Sequence, residues 1–180
     1  MTRLAILLIA GAIAYGPALA SPFLFDDQTA IVDNARIRSL APATAWSPPR
    51  DTPVAGRPLV NFTFALNYAA DGLNPAGYRL TNLAIHLLSG IVLLVLVTRF
   101  SPDIAFAVAL VWVVHPLNSE VVDYLAERSE GLMALCYLLT VYCSVRALDD
   151  RRWSIGAVGA CAAGMLCKES MVTAPVLVVL

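Results

Sequence analysis

An uncharged apolar run from Leu4 to Phe25 constrains the fold of this chain more than any other feature. A helix needs about 20 predominantly apolar residues to cross the hydrocarbon core of a bilayer. Further apolar segments follow, and the 180 residues are 59% hydrophobic and only 14% charged. Soluble domains average about 45–50% apolar and about 25% charged residues. The sequence therefore predicts an integral, multi-pass membrane protein.

The apolar segments predict an all-α, polytopic membrane helical bundle with a long outer first loop. Helices are expected at about 4–25, 78–97, 104–117, 131–145, 153–167 and 171–180. We expect the last of these to be truncated, because natural chains seldom stop inside an apolar run. The outer loop covers 26–77. Within it, the aromatic-rich stretch Leu59–Ala70 precedes a good helix stop and predicts a helix lying in the membrane interface.

Two points of topology remain open in the sequence. Ala18-Leu19-Ala20 resembles a signal-peptide cleavage site, but apolar residues continue to Phe25, which favours an uncleaved helix. Arg146, Arg151 and Arg152 fall in one short loop, and such loops mark the cytoplasm. With the amino terminus inside, much positive charge lies outside, and an anionic ligand would explain it. The composition is typical of a bacterial gene, so we expect the cell inner membrane.

An acid pair, Asp26 and Asp27, ends the first apolar run. Adjacent carboxylates repel each other, which tends to raise the pKa of one of them. A carboxylate with a raised pKa suits proton abstraction from a hydroxyl. We expect Asp26, which follows the apolar Phe25, to be the more desolvated and the better base. The alternative is that the pair only ends the helix and stays solvated.

Charged and polar residues collect on the outer side if the helices alternate. Arg79, Asn82 and His86 share one face of the second helix, where interhelical hydrogen bonding is the expected role of Asn82 and His86. The third helix is expected to end early at His115-Pro116, leaving polar chain near membrane depth. The convergent residues are Asp26, Asp27, Arg57, Arg79, His115, Glu120, Arg128, Glu130, Lys168 and Glu169. This convergence predicts a functional site, although a transporter vestibule would show it too.

Metal and nucleic-acid sites are not favoured by the sequence. The cysteines at 136, 143, 161 and 167 lie in apolar stretches without the histidine spacing of a zinc site, so we expect neither disulfide nor metal. A divalent ion on the acid pair stays a less favoured alternative. The net charge of −1 argues against nucleic acid as a partner.

Five stretches carry a resemblance to a known family. They are FLFDD (Phe23–Asp27), RPLVNFTFALNYAADGLNPAGYRLTNLAIHLL (Arg57–Leu88), HPLNSEVV (His115–Val122), ERSE (Glu127–Glu130) and CKES (Cys167–Ser170). In this order they resemble the membrane region of the transmembrane and tetratricopeptide repeat O-mannosyltransferases and their bacterial relatives. The chain is similar to the amino-terminal part of that region. The resemblance implies the polytopic fold of glycosyltransferases that use polyprenyl-phosphate sugars.

The resemblance also implies an activity and roles for the residues. Mannose or a related sugar would pass from a polyprenyl-phosphate donor to a Ser/Thr hydroxyl, or another protein or glycan acceptor, outside the cytoplasm. Asp26-Asp27 would hold the base, and the cations at 57, 128 and 168 would stabilise the leaving phosphate. His115 would orient a carboxylate or phosphate oxygen, with Arg79 in support. Glu120, Glu130 and Glu169 would pair with the cations.

Departures from the family pattern leave part of this open. Asn118 stands where the family often has histidine, and Asp123-Tyr124 where small residues are usual. Sugar and acceptor therefore remain undetermined, and the 180 residues alone are expected to be inactive. A polytopic transporter and a non-catalytic membrane scaffold remain alternatives. Transporters more often break their helices at the midplane, whereas the charges here collect at the outer ends.

Overall fold

The computed structural model describes residues 2–179, which contain helices and no strand. The nine α-helices of this part are α1 (Thr2–Tyr15), α2 (Pro42–Ala45), α3 (Pro58–Asp71), α4 (Pro75–Phe100), α5 (Pro102–Val113), α6 (Ser119–Asp123), α7 (Arg128–Ala147), α8 (Trp153–Met165) and α9 (Ala174–Val179). Short 3-10 turns lie at Gly16–Ala20, Ala35–Arg38, Pro116–Asn118, Leu125–Glu127 and Glu169–Thr173, and a π-helical turn at Gln28–Val32. The predicted all-α class is confirmed.

Three helical stretches are long and apolar enough to cross a membrane. They are Thr2–Ala20, Pro75–Phe100 and Leu125–Ala147. A fourth crossing is formed if α5 and Pro116–Asp123 count as one span, and these two parts meet at a bend of 49°. The bend lies at His115-Pro116, because the residue before a proline is disfavoured in helical conformation. The chain is thus a membrane helical bundle.

Prolines set several of the helix boundaries. Pro58, Pro75 and Pro102 begin α3, α4 and α5, since the first helical residue has no use for the N–H that proline lacks. Pro17 ends the regular α1 early, and the chain continues as a 3-10 turn to Ala20 and then in extended form. The expected helix to residue 25 is therefore too long, and the acid pair lies beyond the helix in irregular chain.

The outer loop folds into a compact cap over the ends of α4 and α7. Ile31, Ile37 and Val54 pack with Phe64 of α3 and Tyr78 of α4 in one buried apolar cluster. α3 is the helix expected at Leu59–Ala70, and its location in the membrane interface stays a prediction. The loop is also tied internally, because the Asn34 side chain donates to Asn61 Oδ1 at 2.8 Å. The cap gives the loop residues fixed positions above the bundle.

The inner half of the bundle depends on close contact between α1, α4 and α5. A Cβ added at Gly11 would lie 2.5 Å from Leu87, and one at Gly90 would lie 2.4 Å from Val113. His86 Nε2 lies 2.9 Å from the Val113 carbonyl oxygen, so α4 and α5 are also joined by a buried hydrogen bond. The interhelical role expected for His86 is confirmed. This packing holds the outer ends of the helices at which the charged residues lie.

Candidate functional site

Asp27 is the buried member of the acid pair. Its side chain has no exposed surface. Asp27 Oδ2 accepts a hydrogen bond from the Leu24 N–H at 3.0 Å, and Oδ1 accepts one from the Ala126 N–H at 2.9 Å. Burial raises the pKa of Asp27, and the two backbone hydrogen bonds offset part of that rise. Asp27 therefore anchors the first loop to the chain just before α7.

Asp26 is the exposed member of the pair. Its backbone N–H donates to the Tyr124 hydroxyl at 3.1 Å, so the backbone is held while the carboxylate faces outward. Phe25 is 86% exposed and cannot shield its neighbour. The expectation that Asp26 is the more desolvated of the two is therefore wrong. Leu24, Phe25 and Asp26 are exposed, and the contacts of Asp27 turn only that carboxylate inward.

The backbone is strained immediately before the acid pair. Phe25 has a φ of 45°, in the left-handed region that side chains other than glycine rarely adopt. Such a conformation costs on the order of 1–3 kcal/mol and persists only where its surroundings enforce it. Here Asp27 bonds to the residue before Phe25 and to a distant segment, which enforces the turn. The strain presents the exposed Asp26 at a defined place.

Arg79 holds the extended segment that leads to the acid pair. It is 1% exposed and donates to the carbonyl oxygens of Ser21 and Pro22 at 2.5 and 2.6 Å. Arg79 belongs to α4, and it thus supports the site by holding the backbone of this segment against that helix. The cation lies inside the bundle, and its two terminal nitrogens bond to protein groups.

Arg128 does not lie where a donor phosphate would reach it. The residue is 1% exposed, and its guanidinium donates to Asn82 Oδ1 at 2.7 Å, Asn67 Oδ1 at 2.6 Å and the Tyr78 carbonyl oxygen at 2.9 Å. Its carbon Cζ also lies 4.4 Å from the centre of the Phe64 ring. The expected phosphate contact is corrected: Arg128 is a core residue that joins α3, α4 and α7. The interhelical bonding expected of Asn82 is confirmed.

The other two candidate cations lie nearer the surface. Lys168 Nζ forms an ion pair with Glu130 Oε1 at 2.5 Å. Arg57 donates to Ser129 Oγ at 3.0 Å and lies 3.9 Å from a carboxylate oxygen of Glu169. The pairing expected of Glu130 and Glu169 with cations is confirmed. Both cations keep about one fifth of their side-chain surface exposed, so a phosphate oxygen can reach them.

Lys168 and Glu130 line a cavity of about 450 Å³ between α4, α6 and α7. We call it the Lys168 cavity. The other residues lining it are His86, Ser89, Trp112, Asn118, Glu120, Val121, Glu127, Gly131 and Ala134. Glu120 is exposed and, among residues 2–179, forms no ion pair within 4 Å, so its expected pairing with a cation is not seen. Trp112 and Glu127 are site residues that the sequence analysis missed.

His115 does not line the Lys168 cavity. Its side chain is exposed, and Nδ1 accepts a hydrogen bond from the Leu117 N–H at 3.3 Å. The ring thereby caps the turn that follows the bend after α5. Its carbonyl oxygen accepts a hydrogen bond from the Tyr15 hydroxyl at 3.0 Å. His115 therefore organises the bend, and contact with an oxygen of a substrate stays a prediction.

A second cavity of about 430 Å³ lies between the extended segment and α6. We call it the Phe25 cavity. It is lined by Ala18, Ser21, Leu24, Phe25, Arg79, Ser119, Glu120, Asp123 and Tyr124. Glu120 lines both cavities, so they lie side by side. Asp123 and Tyr124 were not expected in the site, although the i, i+3 spacing of Glu120 and Asp123 places both on one helix face.

Metal ligands are not grouped in the part of the chain that the structure describes. No cluster of three or more His, Cys, Asp or Glu side chains there is placed to hold an ion. The four cysteines are free thiols. The described chemistry is therefore that of carboxylates, cations and aromatic rings at the outer ends of the helices.

Comparison with known proteins gives similar chains in animals. The chain is 30% identical to Protein O-mannosyl-transferase Tmtc1 of Drosophila melanogaster, over 90% of this chain and 20% of that protein. It is 32% identical to Protein O-mannosyl-transferase TMTC1 of Homo sapiens, over 79% and 18%. It is also 32% identical to Protein O-mannosyl-transferase Tmtc2 of Drosophila melanogaster, over 90% and 19%. The chain thus spans about one fifth of the length of these relatives.

The same comparisons settle the family. No solved structure matches the chain significantly. The model of the family described as dolichyl-phosphate-mannose-protein mannosyltransferase matches residues 51–180. This match covers most of the chain, including α3 to α9 and the α6 residues that line both cavities. Together with its likeness to the animal O-mannosyl-transferases, it shows that the chain belongs to the dolichyl-phosphate-mannose-protein mannosyltransferase family.

Proposed function

We propose that this chain is part of a membrane enzyme that transfers mannose or a related sugar from a polyprenyl-phosphate donor. The acceptor is a Ser/Thr hydroxyl, or another protein or glycan hydroxyl, on the outer side of a bacterial inner membrane. The observation that carries the proposal is the exposed Asp26 carboxylate, held by the strained Phe25 and by the buried Asp27. Family membership and the membrane spans support it.

The chemistry of such a transfer needs a base on one side of the sugar carbon. The acceptor hydroxyl attacks the anomeric carbon, its proton passes to a carboxylate, and a new carbon–oxygen bond forms. The bond from that carbon to the phosphate oxygen breaks, and its electron pair leaves with the lipid phosphate. In our proposal Asp26 receives the proton, since an exposed carboxylate can touch a substrate. Asp27 positions Asp26 through the backbone.

The leaving phosphate needs positive charge on the other side. Of the three cations first considered, Arg57 and Lys168 remain in this role, because Arg128 is occupied in the core. Arg57 is the more available of the two. Its contact with Glu169 is long, and Glu169 is 81% exposed, so a phosphate oxygen can replace it. Charge-assisted hydrogen bonds from these cations would lower the energy of the developing phosphate charge.

The test compares the two acids in the whole protein, purified in detergent with labelled donor and a Ser/Thr peptide. Asp26→Asn should lower the transfer rate by about 10²–10⁴-fold, the usual contribution of a general base, with an unchanged elution profile. Asp51→Asn, an exposed acid of the same loop, is the matched control and should transfer at the parent rate.

Asp27→Asn should act differently. An amide offers one acceptor oxygen where the carboxylate serves two N–H groups, so the variant should lose stability first and activity with it.

Parent-like transfer by Asp26→Asn would remove the base from our mechanism. The acid pair would then be only a structural element of the first loop.

A further inference from the structure

Two residues that line the Phe25 cavity each carry a buried polar atom that lacks a partner. Arg79 Nε and Asp123 Oδ1 are buried and have no hydrogen-bond partner in the described part of the chain. Both residues line the cavity. The other two Arg79 nitrogens, Nη1 and Nη2, each donate one hydrogen bond, to the carbonyl oxygens of Ser21 and Pro22. Buried polar atoms are nearly always paired in native proteins, so this donor and this acceptor point to a bound group.

The two unpaired atoms do not satisfy each other. Residues 2–179 contain no ion pair within 4 Å between Arg79 and Asp123. One atom can only donate a hydrogen bond, and the other accepts as an ionised carboxylate. A hydroxyl group complements both kinds of atom, since it donates one hydrogen bond and accepts others.

The charge and the walls of the cavity narrow the class of ligand further. Asp123 and Glu120 bring two carboxylates against the single cation Arg79, which disfavours a phosphate. Phe25 and Tyr124 provide aromatic surface, with ring centres 6.5 Å apart and planes nearly perpendicular. A sugar ring carries hydroxyls along its edge and apolar C–H groups on its faces. A neutral sugar therefore fits this lining better than a charged group.

We propose that the Phe25 cavity binds the sugar ring of the donor, with Asp123 and Arg79 hydrogen-bonded to its hydroxyls. This rests on the proposed function. Asp26 follows Phe25 in the chain and its N–H donates to the Tyr124 hydroxyl, and both Phe25 and Tyr124 line the cavity. The Phe25 cavity also adjoins the Lys168 cavity through Glu120. The sugar is thus placed between the base and the cations that receive the phosphate.

The test measures donor binding to the whole protein in nanodiscs, without acceptor, so that it does not depend on turnover. The probes are polyprenyl-phosphate mannose, its analogues that each lack one hydroxyl, and polyprenyl phosphate without sugar. The parent should bind one or more of the deoxy analogues roughly ten- to a hundred-fold more weakly, as expected for a hydrogen bond to a charged group. Asp123→Leu should bind the intact donor more weakly than the parent does, by about the same factor. This variant should then bind the intact donor and the weakened deoxy analogue equally well.

Two further variants keep the result interpretable. Asp123→Asn retains the size of the side chain and a neutral acceptor, so its discrimination should fall to a few-fold even if Asp123→Leu does not fold. Asp51→Leu is the control on the same side of the membrane and should bind every probe like the parent.

The outcomes separate this inference from the proposed function. If the parent binds no polyprenyl-phosphate sugar, the proposed function fails and the inference with it. If the parent binds the donor but the Asp123 variants discriminate among the analogues as the parent does, only the sugar site is wrong. The sugar site is also overturned if the variants weaken the binding of sugar-free polyprenyl phosphate as much as they weaken the binding of the intact donor.

Discussion

Replacing Arg128 with methionine should unfold the bundle rather than impair donor binding. Methionine keeps an unbranched apolar stem and removes every donor. The buried Asn82 Oδ1 and the Tyr78 carbonyl oxygen, now bonded at 2.7 and 2.9 Å, would lose their partner. Each unsatisfied buried acceptor costs about 1–3 kcal/mol, and Asn67 loses its bond as well. We expect the free energy of unfolding to fall by about 3–5 kcal/mol, the range found when a buried charged network is broken.

The assay is an equilibrium unfolding titration with sodium dodecyl sulfate in mixed micelles, followed by tryptophan fluorescence. Arg146→Met is the matched control, because Arg146 lies near the other end of α7 and contacts the ring of Trp153 at 4.9 Å. A contact of this kind contributes about 0.5–1 kcal/mol, so the control should lose no more than that. A double-mutant cycle of Arg128→Met with Asn82→Leu should show a coupling of about 0.5–3 kcal/mol.

A different pattern would refute this account of Arg128. If Arg128→Met were as stable as the Arg146→Met control while donor affinity dropped, the guanidinium would be free to bind phosphate. The contacts with α3 and α4 would then not be those that hold the bundle together.

Three further outcomes follow from the fold. Because burial raises the pKa of Asp27 above its unfolded value, the folded state binds this proton more tightly, and stability should fall as the pH rises from about 4 through the folded pKa. The unfolding midpoints of Asp27→Asn, measured over the same pH range, should lack this slope. An equal slope in the variant would exclude Asp27 as its source. In a background without native cysteines, an impermeant reagent should label a cysteine at 51 but not at 149 on intact cells, and the reverse pattern would overturn the topology. Lys168→Ala should bind polyprenyl-phosphate donor about ten-fold more weakly with its elution profile unchanged, and parent-like binding would contradict phosphate contact at Lys168.

Local signals mark several helix boundaries, although the expected bounds at 78–97 and 104–117 followed hydropathy and differ from those of α4 and α5. Prolines at 58, 75 and 102 begin helices, and His115-Pro116 marks the bend, all through the backbone limits of proline itself. The end of α1 was missed because apolar residues continue to Phe25 although Pro17 stops the regular helix. Hydropathy reports the tendency to leave water, and it does not report whether the backbone stays helical.

The site residues show where sequence reasoning stops. The acid pair was predicted from its place after the first span, but its orientation depends on the Ala126 N–H, which comes from distant chain. Arg128 and Lys168 carry the same charge at similar distances from apolar segments. Only the polar side chains packed around Arg128 separate a core cation from a surface one. Asp123 was missed as a site residue for the same reason, since its unpaired oxygen exists only in the folded arrangement.

The hydrogen bond between Asp27 and the Ala126 N–H joins positions 99 apart in the chain, and this has a consequence for biosynthesis. Ribosomes add about 5–20 residues per second, so the first loop exists for roughly 5–20 seconds before Ala126 is made. During that time the turn at Phe25 lacks its distant anchor, and Tyr124 is not yet present to hold Asp26. A nascent chain with only its first spans inserted therefore lacks a fixed position for the proposed base. The arrangement that we propose to be catalytic is completed when α7 enters the bundle, so the order of membrane insertion determines when it forms.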